Sequence, residues 1–159
     1  MDIKTLYKLS YGMFIVCSKK VDKLNGQVAN TVFQITSEPP TIAVSINRNN
    51  FTHSYINESK VFTVSILCIT TPLSFIGGFG FRSGRDVNKL DGINYKLGKT
   101  GAPVILDNTV AYIEANVVKQ LDVGTHTIFV GEIADAEILN EKEIMTYANY
   151  HLVRRGTTP

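Results

Sequence analysis

A chain of 159 residues with 44% apolar content, eight Phe and seven Tyr has the material for a sizeable core and is expected to form one domain over 1–159. Its 16 basic and 14 acidic residues give a net charge of +2 and are mixed along the chain, which leaves no sustained basic patch for nucleic acid. No apolar run approaches the ~20 residues that cross a bilayer, and Met1-Asp2-Ile3-Lys4 lacks the basic-then-apolar start of a signal peptide, so a cytoplasmic protein with no membrane contact is expected.

In chain order, Ile3, Leu6, Tyr7 and Leu9 are spaced for one face of a short helix, and 12–17 reads as an opening strand. Asn25-Gly26 is a turn signal that doubles the chain back into a strand over 27–35, set centrally in a sheet. Ser37-Glu38-Pro39-Pro40 is a corner leading into a second strand, in which Ile42, Val44 and Ile46 alternate with Thr41, Ala43, Ser45 and Asn47. That alternation gives one face to the core and leaves a narrow polar face on which something flat can lie. Asn47, Arg48, Asn49, Asn50 and Thr52 follow, one cation and several neutral donors, just before a helix over 51–60 capped by Thr52. The combination suits a phosphate.

Residues 61–67 alternate as a strand, and Thr71-Pro72 opens a helix expected to end at Gly77-Gly78. Asp91-Gly92 and 98–101 are loop signals around short extended pieces at 94–97 and 102–105. The runs 110–121 and 139 back to 126 form a long antiparallel hairpin across Asp122-Val123-Gly124-Thr125, and 141–150 fits a last helix. Short strands joined by tight turns, with helices only inserted between them, argue for an antiparallel barrel rather than a βαβ sheet.

Several chemistries are disfavoured. The glycines of Gly78-Phe79-Gly80-Phe81-Arg82-Ser83-Gly84 fail as a dinucleotide fingerprint, because the third is one residue late and a proline-started helix precedes them. No nucleophile elbow, His-Glu-x-x-His helix or Walker lysine loop is present, and no His, Cys or Asp cluster has metal-ligand spacing. Cys17 and Cys68 lie in apolar runs and read as reduced core thiols. Taken alone, His126 reads as a hydrogen-bonded histidine at a strand end, and Arg48 fits a surface charge as well as a phosphate contact. Asn30 and Thr31 are flanked by Val28, Ala29, Val32 and Phe33, too apolar for an exposed edge, which favours a covered position facing a ligand.

Four segments in this order and spacing resemble the flavin reductase-like family, the FMN-binding split barrels: Ala29-Asn30-Thr31-Val32; Thr36-Ser37-Glu38-Pro39-Pro40; Val44-Ser45-Ile46-Asn47 with Thr52; and Gly124-Thr125-His126-Thr127, where Thr125 replaces the usual acid. The run 79–89 resembles a segment of the subgroup related to flavoredoxin, archaeal ferric reductase and the flavin domain of high-molecular-weight rubredoxin. The resemblance covers most of the chain, to about Gly131.

The resemblance implies a mainly β fold: an FMN-binding split β-barrel, antiparallel and Greek-key-like, with short peripheral helices, forming a homodimer. It implies FMN as cofactor, NADH or NADPH as donor, hydride transfer to flavin N5, and electrons passed on to free flavin, ferric iron or a rubredoxin-like protein. A flavoredoxin-type FMN electron carrier without its own NAD(P)H activity is the alternative, and a split barrel with another ligand or none stands behind it. Carried over residue by residue, Ala29, Asn30, Thr31, Val32 and Ser37 hold the ring and ribityl chain. Ser45, Asn47, Arg48, Asn49 and Thr52 hold the phosphate end. Phe79, Ser83, Gly84, Arg85 and Asp86 belong to a covering loop, and His126, the catalytic candidate, orients the ring or the nicotinamide. The tail over 151–159 either covers the partner's flavin or is disordered.

Overall fold

The computed structural model describes residues 1–157. In chain order the elements are β1 (Phe14–Lys20), β2 (Lys23–Ala29), β3 (Val32–Ser37), β4 (Pro40–Asn47), α1 (Phe51–Ser59), β5 (Val61–Leu67), α2 (Leu73–Gly80), β6 (Tyr95–Leu97), β7 (Pro103–Ile105), β8 (Thr109–Val123) and β9 (His126–Ile138). A 3-10 helix, Ile3–Lys8, precedes them, and a five-residue helical turn, Asn149–Val153, follows.

The seven-stranded sheet has the order β2-β1-β5-β8-β9-β4-β3, and its pairings are antiparallel. Its two edge strands, β2 and β3, are consecutive in sequence and separated only by Asn30 and Thr31. Two residues span at most about 7 Å of extended chain, so the sheet must curl until its edges meet at that link. Away from the link the edges part without pairing, which is a split barrel. β6 and β7 form a separate two-stranded ribbon.

Two apolar clusters fill the molecule, and β1 serves both because its side chains alternate between faces. Val16 joins Ile42, Val44, Ile46, Ile56, Phe62, Val64, Ala115 and Phe129 inside the curled sheet, where Ile56 brings α1 against it as a plug. Ile15 and Cys17 face outward to Leu67, Ile76, Phe79, Ile105, Met145 and Tyr150, burying α2 and the C-terminal segment. Cys17 and Cys68 are buried and unpaired, as the apolar runs around them led one to expect.

The structure corrects several local expectations. The chain reverses at Val21-Asp22, with Val21 at φ 52, whereas Asn25 and Gly26 lie inside β2 opposite Ser18 and Cys17. Gly26 is there for closeness: a Cβ on it would come within 2.5 Å of the Cys17 sulfur. The expected strand over 27–35 breaks at Asn30-Thr31, and its halves take opposite edges of the sheet instead of its centre. α1 is capped by Asn50, while Thr52 is buried within the first turn. α2 starts after Pro72 and runs through Gly77-Gly78 to Gly80. In place of a helix beginning at 141, the chain crosses the ends of β1 and β5 in extended form through bridges Cys68↔Ile144 and Gly12↔Thr146. Ile3, Leu6 and Tyr7 bury no common face; all three are exposed.

Candidate functional site

A cleft of about 560 Å³ opens beside the link that joins the sheet edges, within the roughly 300–1,000 Å³ of small-molecule sites. Its floor is the second half of β2, Gln27, Val28 and Ala29, continued by Asn30 and Thr31. One wall is the end of β4, Ser45 and Asn47, with His126 beside it because Asn47 pairs with His126 in the β4–β9 ladder. The opposite wall is the end of α2 and the loop after it, Ile76, Phe79, Gly80, Phe81 and Arg82.

One end of the cleft is built by the start of α1. Asn49, Asn50, Phe51 and Thr52 meet Ser83, Gly84 and Arg85 there. A Cβ on Gly84 would lie 2.0 Å from Asn25 Oδ1 and 3.0 Å from the Phe51 ring, so glycine lets this loop close onto β2 and α1. Asn25 donates its amide to Thr52 Oγ1 at 2.8 Å, which leaves the threonine proton for another acceptor. Arg85 is held over the Phe51 ring at 4.9 Å with both guanidinium arms on Asn49 O at 3.2 Å. Lys89, donating to Phe79 O at 2.8 Å, also lines the cleft, and burial pushes its ammonium down to about 8. At the other end stand Met13, Tyr147, Tyr150 and Thr157.

Three cations, Arg82, Arg85 and Lys89, line this cleft together with His126, and no carboxylate does among the described residues. With the free N–H groups at the start of α1, that end attracts an anion. His126 is half-buried, and its Nδ1 lies 2.8 Å from Thr125 Oγ1, so the threonine makes the bond to the ring at the position where the resemblance expects an acid.

The cleft thus brings together Ala29, Asn30, Thr31, Ser45, Asn47 and Asn49 with Thr52, Phe79, Ser83, Gly84, Arg85 and His126. Four of the residues named from sequence lie outside its lining. Val32 packs against the inner core. Ser37 sits at the far end of β3, where Gln34 donates to it at 3.2 Å. Arg48, whose backbone N–H donates to Thr125 O, is absent from the lining, and its charge bears on His53 instead. Asp86 faces a neighbouring cavity on the other side of the loop, with Asp22 and Asp91. Conversely, Met13, Gln27, Arg82, Lys89, Tyr147 and Tyr150 line the cleft without having been singled out. Arg82 and Lys89 lie within the run 79–89 that carries the resemblance, where other residues were expected at the site; the tyrosines arrive from the far end of the chain, where no local signal points to a site.

FMN, the group implied by the resemblance, fits the residues present. Its phosphate suits the cationic end, and the buried Gln27 Oε1, left without a donor in the protein, suits a polyol hydroxyl. The domain model described as flavin reductase like domain matches residues 6–155. The chain belongs to the flavin reductase-like family. Within it, the chain is 56% identical over its full length to the high molecular weight rubredoxin of Moorella thermoacetica, of which it covers 69%. It is 54% identical, again over its full length, to the ferric-chelate reductase (NAD(P)H) of Archaeoglobus fulgidus, of which it covers 94%. Among solved structures, flavoredoxin from Methanosarcina acetivorans superposes with a TM-score of 0.75 at 25% identity, over 83% of this chain and 69% of the other. The split barrel and the oxidoreductase character of a flavin reductase-like protein are therefore established for this chain. Among the described residues, no helix is long and apolar enough to cross a membrane.

Proposed function

We propose that this flavin reductase-like protein holds FMN in the cleft beside the sheet edges, draws electrons from NADH or NADPH, and delivers them to ferric iron, free flavin or a rubredoxin-like protein. The observation that carries the reading is the polarity of the cleft: three cations and a helix start in its lining, a strip of small polar residues along the floor, and no carboxylate among the described lining residues. When bound, the isoalloxazine supplies the redox chemistry, accepting a hydride from the nicotinamide and releasing electrons to the acceptor.

The protein's own tasks are binding, orientation and exclusion of water. Thr52, the N–H groups of α1, Ser83, Arg85 and Lys89 bind the phosphate. Gln27 Oε1 accepts from the ribityl chain, and Ala29, Asn30, Thr31, Ser45 and Asn47 offer the ring small side chains and hydrogen-bonding groups. His126, steadied by Thr125, orients the donor ring. Exposed apolar side chains on β3 and the β8–β9 tip, Phe33, Ile35, Leu121 and Val123, support a homodimer. The two unpaired core thiols support a reducing, cytoplasmic setting.

The test is an anaerobic visible spectrum of the FMN-loaded, desalted protein before and after NADH, then NADPH. Flavin absorbance that bleaches with either nucleotide is expected. Retained flavin that bleaches only with dithionite replaces the reductase with an electron carrier, and loss of all flavin on desalting with no binding on titration rejects the site.

A further inference from the structure

The C-terminal segment contributes two of the aromatic side chains at the cleft; Met145 and Tyr150 anchor it in the outer core, and beyond Tyr150 it is held by polar bonds. After β9 the chain passes along the ends of β5 and β1: Ile69 N–H donates to Glu143 O, Met145 N–H to Leu67 O, Met13 N–H to Met145 O and Tyr147 N–H to Tyr11 O, at 2.8–3.1 Å. That path delivers Tyr147 and Tyr150 to the lining of the cleft. Tyr147 stands edge-on to Tyr11 at 6.1 Å and to His151 at 4.3 Å, and Tyr150 packs against both Tyr147 and His151.

Beyond Tyr150 the chain folds back on itself. Gly156 N–H donates to Tyr150 O at 2.8 Å, Tyr150 Oη to Thr157 O at 2.8 Å, and His151 Nδ1–H to Gly156 O at 2.9 Å. Arg155 takes φ 54 to make the reversal. Arg154 reaches across to the β5–α2 connection, with Nη1 on Ile69 O and Nη2 on Thr71 O, both at 3.1 Å. Such charge-assisted pairs are the stronger hydrogen bonds. Leu152 and Val153 are 81% and 69% exposed, so they supply little apolar anchorage, and the position of the reversal depends on Arg154 and on the clasp between Tyr150 and 156–157.

We propose that residues 147–157 are a retaining wall of the cofactor cleft, stapled to the core by Arg154, that makes flavin a resident group of this protein rather than a substrate in transit. The inference rests on the reading of the cleft as an FMN site and goes beyond it, because it assigns residence time to a segment distant in sequence from the phosphate and ring positions. Flavin leaves only when the Tyr147–Tyr150 panel swings aside, and the panel swings aside when the Arg154 staple and the Tyr150–Gly156 clasp open. Gly156 has no room for a side chain, since a Cβ there would lie 2.2 Å from the Tyr150 ring.

The experiment measures FMN dissociation by the recovery of flavin fluorescence on dilution, for the wild type, Arg154→Ala and Gly156→Val, with the thermal midpoints of the flavin-free proteins recorded beside them. The two variants open the wall by different routes, one by removing the staple and the other by crowding Tyr150. Both are expected to release FMN about tenfold faster or more than the wild type with midpoints close to it. In the wild type, saturating FMN is expected to slow tryptic cleavage at Arg154 and Arg155, read by intact mass. Wild-type release rates in both variants, or tail cleavage indifferent to FMN, overturn the retaining wall while leaving the FMN site standing. A wild type that binds no FMN overturns the site and the wall together.

Discussion

His53 Nε2 on α1 lies 2.8 Å from Thr127 Oγ1 on β9, and Thr127 donates onward to Asp122 at 2.6 Å. An ionised carboxylate only accepts, so the threonine proton points to Asp122 and His53 Nε2 must carry a proton to complete the chain. This relay ties the tip of the β8–β9 hairpin, which carries His126, to the helix whose first turn forms the cationic end of the cleft. Burial holds the imidazole pKa below its ordinary value, Arg48 and Lys60 push the same way, and Asp122 opposes them.

A pH dependence of stability follows. With the folded pKa of His53 below the unfolded value of about 6.5, the unfolded chain takes up a proton first as pH falls, so stability is lost on acidification through that value. The thermal midpoint is expected to drop between pH 7.5 and 5.5, and His53→Gln, which keeps an amide donor toward Thr127, should flatten the drop. An equal slope in wild type and variant would show that other groups are responsible.

Glu114 is 1% exposed, yet fully served: its carboxylate accepts from Lys99 N–H, Thr100 N–H and Thr100 Oγ1 at 2.9–3.1 Å. It anchors the turn between β6 and β7 onto β8. In Glu114→Gln one amide nitrogen must face a donor, so one hydrogen bond becomes a repulsive contact, and unfolding free energy in urea should fall by about 1–3 kcal/mol. A loss below a few tenths would mean that the turn rearranges to suit the amide.

Asn30 sits in the two-residue link on the cleft floor and accepts from Thr31 Oγ1 at 3.0 Å. Asn30→Asp preserves shape but sets a charge on a covered polar face and removes two N–H donors, so FMN affinity by fluorescence titration is expected to fall about tenfold or more. Unchanged affinity would place the flavin elsewhere.

The same link shows how far the sequence could be read. The alternation of β4, β5 and the long hairpin is a local pattern, and each of these elements forms where its pattern lies. Asn25-Gly26 has the chemistry of a hairpin turn, but a buried amide bond to Thr52 and a close approach to Cys17 keep the pair within a strand; both reasons come from chain segments elsewhere in the sequence. The unexpected edge positions of β2 and β3 have the same origin, since a strand's neighbours are set by pairings dozens of residues away. At the site, the floor and the helix start were legible because they are contiguous motifs. The Tyr147–Tyr150 panel was not, because only the crossing of 143–147 over β1 and β5 brings it to the cleft.

Lys89 gives the sharpest test of which end of the cleft holds the phosphate. Burial lowers its ammonium from 10.5 to about 8, while burial raises the neighbouring Cys17 thiol to about 12, so near neutral pH the pair is a charged lysine beside a neutral thiol. The phosphate of FMN has lost its second proton by about pH 6–7, so above that only the protein titrates. FMN affinity should therefore hold steady to about pH 8 and then weaken by up to about tenfold per pH unit as the lysine loses its charge. Stability of the flavin-free protein moves the other way: an unfolded lysine keeps its proton to about 10.5, so between about 8 and 9 the unfolded state binds more protons and folding becomes more favourable as pH rises, until above about 9 the unfolded Cys17 thiol loses its proton before the folded one and offsets the gain. Both trends should disappear in Lys89→Met, whose unbranched side chain has similar bulk and no charge. Wild-type affinity that stays flat from pH 7 to 9.5 would remove Lys89 from the phosphate site, whereas opposite slopes for affinity and stability, both abolished by the one substitution, would fix the phosphate beside it.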